Sequence, residues 1–163
     1  MSRGLVKVAT FFRAPYTSCM SSLKKFSVTI EMAIMSFETD FVGIVNNTEF
    51  IRFLERVRYS LSKRLGLSFK QVRSSKLWNV MAHVEINYIS PARFEDVMLG
   101  TGWVEKVGNT SLTLGYEFRL KGTRRLIAEA KQVLVFVNNH LKPTSIPAQL
   151  RKKLLARVIS SKP

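Results

Sequence analysis

FETDFVGIVNNTEFIRFLERVRY, residues Phe37–Tyr59, runs from the end of a strand through a tight acidic loop into an amphipathic helix. Asn46 is a good N-cap, and Glu49, three residues on, has the spacing to reach back to it as a capping box. Apolar Phe50, Phe53, Leu54, Val57, Leu61 and Leu65 then recur at three- and four-residue spacing, and Gly66 is placed to close the helix. About twenty residues at ~1.5 Å each give a helix roughly 30 Å long, enough to serve as the core of a small domain.

The chemistry of this stretch lies at its front end. With Asn46 as cap, Asn47 is the first helical residue, and its backbone N–H has no intrahelical acceptor. That N–H, together with the positive end of the helix dipole, can polarise a carbonyl oxygen and stabilise an oxyanion. Asp40 lies seven residues before Asn47, across a turn that Gly43 lets fold back. An acid beside a helix N-terminus is a workable hydrolytic site without a Ser-His-Asp triad. The same acid also simply complements the helix dipole. Spacing alone leaves both readings open.

The run Asp40-Phe-Val-Gly43-Ile-Val-Asn-Asn-Thr-Glu-Phe50, followed by Phe53-Leu-Glu-Arg-Val-Arg58, resembles the hotdog-fold acyl-CoA thioesterases of the 4-hydroxybenzoyl-CoA thioesterase type. A second block, Tyr88-Ile-Ser-Pro-Ala-Arg-Phe-Glu-Asp96, resembles that family's Pro-Ala-plus-acid turn between strands. The resemblance covers roughly residues 26 to 150. It implies that Asp40 is the catalytic carboxylate and that the Asn47 backbone N–H contacts the thioester carbonyl, with Gly43 setting the loop geometry. Many members of the family carry Tyr or His where this chain has Asn46 or Asn47; a backbone donor survives that change. The resemblance further implies a substrate that is an acyl-CoA or an acyl carrier protein thioester. No cofactor is implied beyond the coenzyme A of the substrate, and the resemblance implies a homodimer or homotetramer with sites between subunits.

Composition agrees with one globular domain. The 163 residues are 46% hydrophobic and 10% aromatic, and no apolar run approaches the ~20 residues of a membrane span, which predicts a soluble, cytoplasmic protein. The single Cys19 permits no intrachain disulfide, and two His with one Cys do not supply a usual zinc site. The formal charge of +15 is concentrated at the ends: five cations and no acid in residues 1–25, six cations and no acid in 142–163, leaving +4 between them. Such ends are solvated and weakly attracted to polyanions. Basic residues also suit the phosphates of coenzyme A.

Residues 1–25 are read as a basic, poorly ordered extension. The competing readings are a presequence for organellar import, or translation from an upstream start with Met20 or Met32 as the true one. The hotdog domain is placed at 26–141 and a basic C-terminal tail or short helix at 142–163. Phe26–Phe37 is the first strand, with Phe26, Val28, Ile30, Met32 and Ile34 on one face. After the helix comes a basic connector, Leu67–Lys76, read either as simply solvated or as bordering an acyl or pantetheine channel. Four strands follow: Leu77–Ser90, Val97–Val107, Ser111–Leu120 and Leu126–Asn138. In the first of these, Val80, Ala82, Val84, Ile86 and Tyr88 share a face, with His83, Glu85 and Asn87 opposite. Pro147 suits the first position of a helix over Ala148–Ile159. One strand, a long helix and four antiparallel strands predict an α+β fold, with a sheet of about five strands wrapped around one central helix. That is also what the hotdog resemblance implies.

Thioester hydrolysis is therefore the leading function, with Asp40 as general base or as nucleophile. Glu38, two residues earlier, is an auxiliary acid or, more simply, a surface residue. The alternative is a hotdog protein that binds acyl-CoA without turning it over. A hotdog dehydratase wants a His paired with the acid near the helix, and no His precedes His83. His83 itself reads as structural. A nucleic-acid binder is disfavoured because the charge sits in the tails and no basic-aromatic platform appears.

Overall fold

The computed structural model describes residues 26–67 and 77–158. The expected extension 1–25, with Cys19 and Met20, and most of the connector, with Lys70, Arg73 and Lys76, lie outside the described residues.

Five strands form one antiparallel sheet: β1 (Ser27–Ala33), β2 (Trp78–Tyr88), β3 (Val97–Val107), β4 (Ser111–Leu120) and β5 (Leu126–Val137), in the order β1-β3-β4-β5-β2. Between β1 and β2 the chain makes a short 3-10 turn, Ser36–Glu38, then the long helix α1 (Glu49–Leu65). A sheet rolled about one long helix is the hotdog architecture. β3 and β4 occupy the residues their alternation predicts, because the Gly108-Asn109 turn punctuates them. β1 ends at Ala33, four residues short of the expected Phe37, where the chain bends into the 3-10 turn.

α1 buries Phe50, Phe53, Leu54, Val57, Leu61 and Leu65 against the concave face of the sheet. It packs over β1 and β3, and two strand glycines make that approach feasible. A Cβ at Gly100 would lie 2.6 Å from Met32 Cε and 2.7 Å from Val57 Cγ2, and one at Gly102 would lie 2.7 Å from Val57 Cγ1. Of the two readings of the segment after residue 141, the described residues, which end at Val158, contain a short helix. This is α2 (Ala148–Leu155), and Ile146 and Leu154 are buried in the core. Pro147 stands one position before the helix rather than inside it.

β2 departs from simple alternation. Met81 faces Leu134 and His83 faces Val133, so Ala82 is an extra residue in a β-bulge. The expected common face of Val80, Ala82 and Val84 is therefore broken. Val84 lies opposite the buried Gln132, whereas Val80 lies opposite Val135 on the other side of the sheet.

Candidate functional site

Residues Glu38 to Asn46 fold as a miniature hairpin that feeds α1. Thr39 and Val45 form a bridge, the Asp40 N–H donates to Ile44 O at 2.8 Å, and the Asn46 N–H donates to Glu38 O at 2.9 Å. The Gly43 N–H closes the tip by donating to Asp40 O at 2.9 Å, and Gly43 holds φ +74, a conformation that favours glycine. The Asp40 side chain organises this tip. Its Oδ1 accepts the Val42 N–H at 2.9 Å and the Ile44 N–H at 3.4 Å, as in an Asx turn. The carboxylate is half-buried, and its Oδ2 has no hydrogen-bond donor among the described residues.

Asn46 precedes the helix, and its Oδ1 accepts the Thr48 N–H at 3.0 Å and the Thr48 hydroxyl at 2.9 Å. Regular helix begins at Glu49 with Thr48 as its N-cap, so the expected cap at Asn46 and first helical residue at Asn47 are each displaced by two positions: a tight turn comes first, in which the Glu49 N–H donates to Asn46 O at 3.0 Å. The expected capping box does not form. The Asn46 N–H goes to Glu38 O, and the Glu49 carboxylate is buried, with Oε2 lacking a hydrogen bond and standing 3.6 Å from Arg52 Nη1. Glu38 is likewise not a surface acid: it is 7% exposed, and its Oε2 accepts the Met35 N–H at 2.8 Å, which secures the 3-10 turn. Asn47 is exposed, and its N–H donates to no acceptor among the described residues.

The second sequence block is bonded to the first. The Val45 N–H donates to Ala92 O at 2.9 Å, Ile44 bridges to Arg93, and the Ile34 N–H donates to Asp96 O at 2.9 Å. The acid of this block, Asp96, caps its own turn by accepting the Arg93 N–H at 2.8 Å. At the end of β2 the Tyr88 hydroxyl donates to Asn47 O at 3.1 Å, and partial burial raises the pKa of its phenol. Its ring meets Phe50 edge-on with centroids 5.1 Å apart.

Asp40, Gly43 and Asn47 thus share one bonded loop at the N-terminus of α1, and no histidine joins them. His83 is exposed on the face of β2 turned away from α1, opposite Val133. Sequence reasoning missed Gln132. It is fully buried, its Oε1 accepts the Tyr116 hydroxyl at 2.6 Å, and its Nε2 has no partner among the described residues. A polar residue on the strand face otherwise made of Ala128, Ala130, Leu134 and Phe136 is the available signal.

The arrangement offers an uncommitted backbone donor in the turn that leads into α1 and a carboxylate with a free oxygen. Solved structures share the fold. The 1,4-dihydroxy-2-naphthoyl-CoA thioesterase Slr0204 from Synechocystis is 19% identical, with 79% of this chain and 96% of that one aligned at a TM-score of 0.71. A DHNA-CoA thioesterase from Staphylococcus aureus is 18% identical, with 80% and 91% covered and a TM-score of 0.73. Among sequence relatives, the long-chain acyl-CoA thioesterase FadM of Escherichia coli is 23% identical over 76% of this chain and 94% of its own length. The chloroplastic acyl-acyl carrier protein thioesterase ATL3 of Arabidopsis thaliana is 21% identical over 77% of this chain, which spans 66% of that relative. The family model of the thioesterase-like superfamily matches residues 37–154, so this chain belongs to the thioesterase-like superfamily.

Proposed function

We propose that this protein hydrolyses acyl thioesters, of coenzyme A or of an acyl carrier protein, to the free acid and thiol. The observation that carries the reading is the uncommitted Asn47 N–H at the helix N-terminus, on the same bonded loop as the Asp40 carboxylate. The thioester carbonyl oxygen takes the Asn47 N–H, and the helix dipole supports the charge that grows there. Asp40 Oδ2 takes a proton from water as the water oxygen attacks the carbonyl carbon. Collapse of the tetrahedral intermediate breaks the C–S bond and releases the thiol, which recovers that proton. Oδ1 stays bonded to the Val42 N–H, so the carboxylate keeps its aim. The names of the relatives, one acting on acyl-CoA and another on acyl carrier protein thioesters, support both carriers.

A second copy of the chain completes the site in this reading. β2 is an edge strand of eleven residues, and most of it is exposed, including Val80, Met81, Val84 and Tyr88. No proline and no lysine guards that edge, so it is a template for strand pairing. Tyr88 binds Asn47 O, which brings a strand paired along β2 to the mouth of the site. Light scattering should give twice the chain mass. Val84→Lys should give a single chain with activity lowered at least tenfold; a fully active wild-type monomer would sink the assembly.

Asp40→Asn tests the chemistry, because it keeps shape while removing the charge. Turnover of acyl-CoA thioesters should fall by roughly 10²- to 10⁴-fold, with an unchanged melting temperature. Near-normal turnover in that variant would reject Asp40 as the catalytic carboxylate. A wild-type chain that binds acyl-CoA with no release of thiol would favour the binding protein instead.

A further inference from the structure

Charge is arranged differently on the two sides of the molecule. On the sheet face turned away from α1 the cations are paired: Arg119 with Glu117, Lys131 with Glu105 and Lys121 with Glu31, each at 2.8 Å. On the solvent side of α1 the one exposed acid, Glu55, is paired with Arg58, and the remaining cations are in excess. Arg52, Arg56, Tyr59 and Lys63 are spaced by four, three and four residues, so they form one stripe, and all four are exposed. Arg56 and Lys63 make no ion pair among the described residues; the Lys63 ammonium lies 5.8 Å from the Tyr59 ring centroid. Arg52 comes within 3.6 Å of Glu49, yet its side chain is 73% exposed.

Helix stability does not account for this stripe. Lys63, in the last turn, complements the negative end of the dipole, but Arg52 sits near the positive end, where a cation is disfavoured. Arg52 and Arg56 also form a like-charge i,i+4 pair, which costs about 0.2–0.5 kcal/mol in an isolated helix. Beyond Lys63 the positive surface continues onto α2. Lys152 and Lys153 are exposed there, no acid occurs from Ala148 to Val158, and Arg157 reaches Leu65 O at the end of α1.

We infer that the stripe on α1 is the docking surface for an acidic carrier protein that presents its acyl thioester at the Asn47 end of the helix. The inference rests on the thioesterase reading above. The stripe begins beside the site and runs eleven residues along α1, roughly 16 Å, which is the reach of a protein surface rather than of one phosphate cluster. It also places an exposed tyrosine among arginines, the mixture enriched in protein interfaces. Complementary charge over that length speeds encounter and fixes orientation.

The test is the double substitution Arg56→Glu with Lys63→Glu in the full chain, with the melting temperature as a check on folding. Three substrates carry the same acyl group: an acyl carrier protein thioester, a CoA thioester and an N-acetylcysteamine thioester, which has no phosphate. For the carrier protein substrate, kcat/KM should fall about tenfold or more at low salt, with less than a twofold change for N-acetylcysteamine. An unchanged carrier protein rate overturns the inference, and so does an equal loss on the CoA thioester, which would assign the stripe to coenzyme A phosphates. A binding arm uses the Asp40→Asn chain and fluorescence anisotropy with holo carrier protein. The Kd should rise about tenfold on charge reversal. Tighter binding to a short DNA duplex than to the carrier would overturn the docking in favour of nucleic acid. That arm needs no turnover, so failure of hydrolysis on all three substrates breaks the thioesterase reading while the docking is still decided by binding.

Discussion

Gly43 and Gly66 stand on either side of α1 with nearly the same backbone, φ +74 and +73, yet they serve opposite ends. At Gly66 the helix is closed. The Gly66 N–H donates to Lys63 O, the Leu67 N–H donates to Ser62 O, and Arg157 donates to Leu65 O. Arg64 reaches Ser27 O, and the guanidinium carbons of Arg64 and Arg157 lie 5.1 and 4.3 Å from the Phe26 ring centroid. At Gly43 the loop is just as thoroughly bonded, but its bonds leave Asn47 N–H and one oxygen of Asp40 outward. One end uses its polar groups for stability. The other holds two of them, well positioned and unfulfilled, and that is where a ligand gains most.

Of the backbone substitutions that break this contrast, the largest effect is expected at the open end. Asn47→Pro deletes the backbone donor, and the second position of the Asn46–Glu49 turn, which Asn47 holds, accommodates its fixed φ. Turnover should fall by roughly 10²- to 10³-fold, the usual effect of losing one oxyanion donor. Asn47→Ala keeps the N–H and should stay within a few-fold of wild type. Steady-state kinetics with circular dichroism as a folding control separates the two. An alanine variant as inactive as the proline variant would show that the side chain acts, not the backbone.

The two ends also differ in how far sequence revealed them. The buried stripe of α1 and the left-handed Gly66 follow from local spacing, because every residue that matters there is within a few positions of its partner. The bond from the Thr48 N–H to the Asn46 side chain is local as well, although the helix itself starts two residues later than its spacing suggests. What the sequence missed depends on distant chain. Glu49 fits a capping box by spacing, but Glu38 O had already taken the Asn46 N–H through the hairpin. Glu38 looks like a surface acid until the 3-10 turn buries it. The bulge at Ala82 has no local signature, and it reverses which residues of β2 face the helix. Gly100 and Gly102 lie inside β3, where glycine ordinarily weakens a strand, and the approach of Val57 gives them a purpose.

The smallest and most discriminating effect comes from substituting the two glycines in parallel. An added Cβ meets nothing within 4 Å at either position, so Gly43→Ala and Gly66→Ala test the backbone alone. An L-residue held in the left-handed region costs about 1–2 kcal/mol, which lowers the melting temperature by a few degrees for a chain of this size. Both variants should lose stability by similar amounts, and Asn at either position should recover part of it, since Asn tolerates that conformation better than Ala. Their kinetics should diverge. Gly66→Ala alters the end of α1 opposite Asp40 and Asn47, so kcat should not change. Gly43→Ala strains the tip at which Asp40 Oδ1 accepts the Val42 and Ile44 N–H groups, and the carboxylate shifts with it. A displacement of about 1 Å is enough for a loss near 10²-fold. Equal kcat in the two variants would show that the loop tolerates movement at Gly43, and Asp40 would then not owe its aim to that turn.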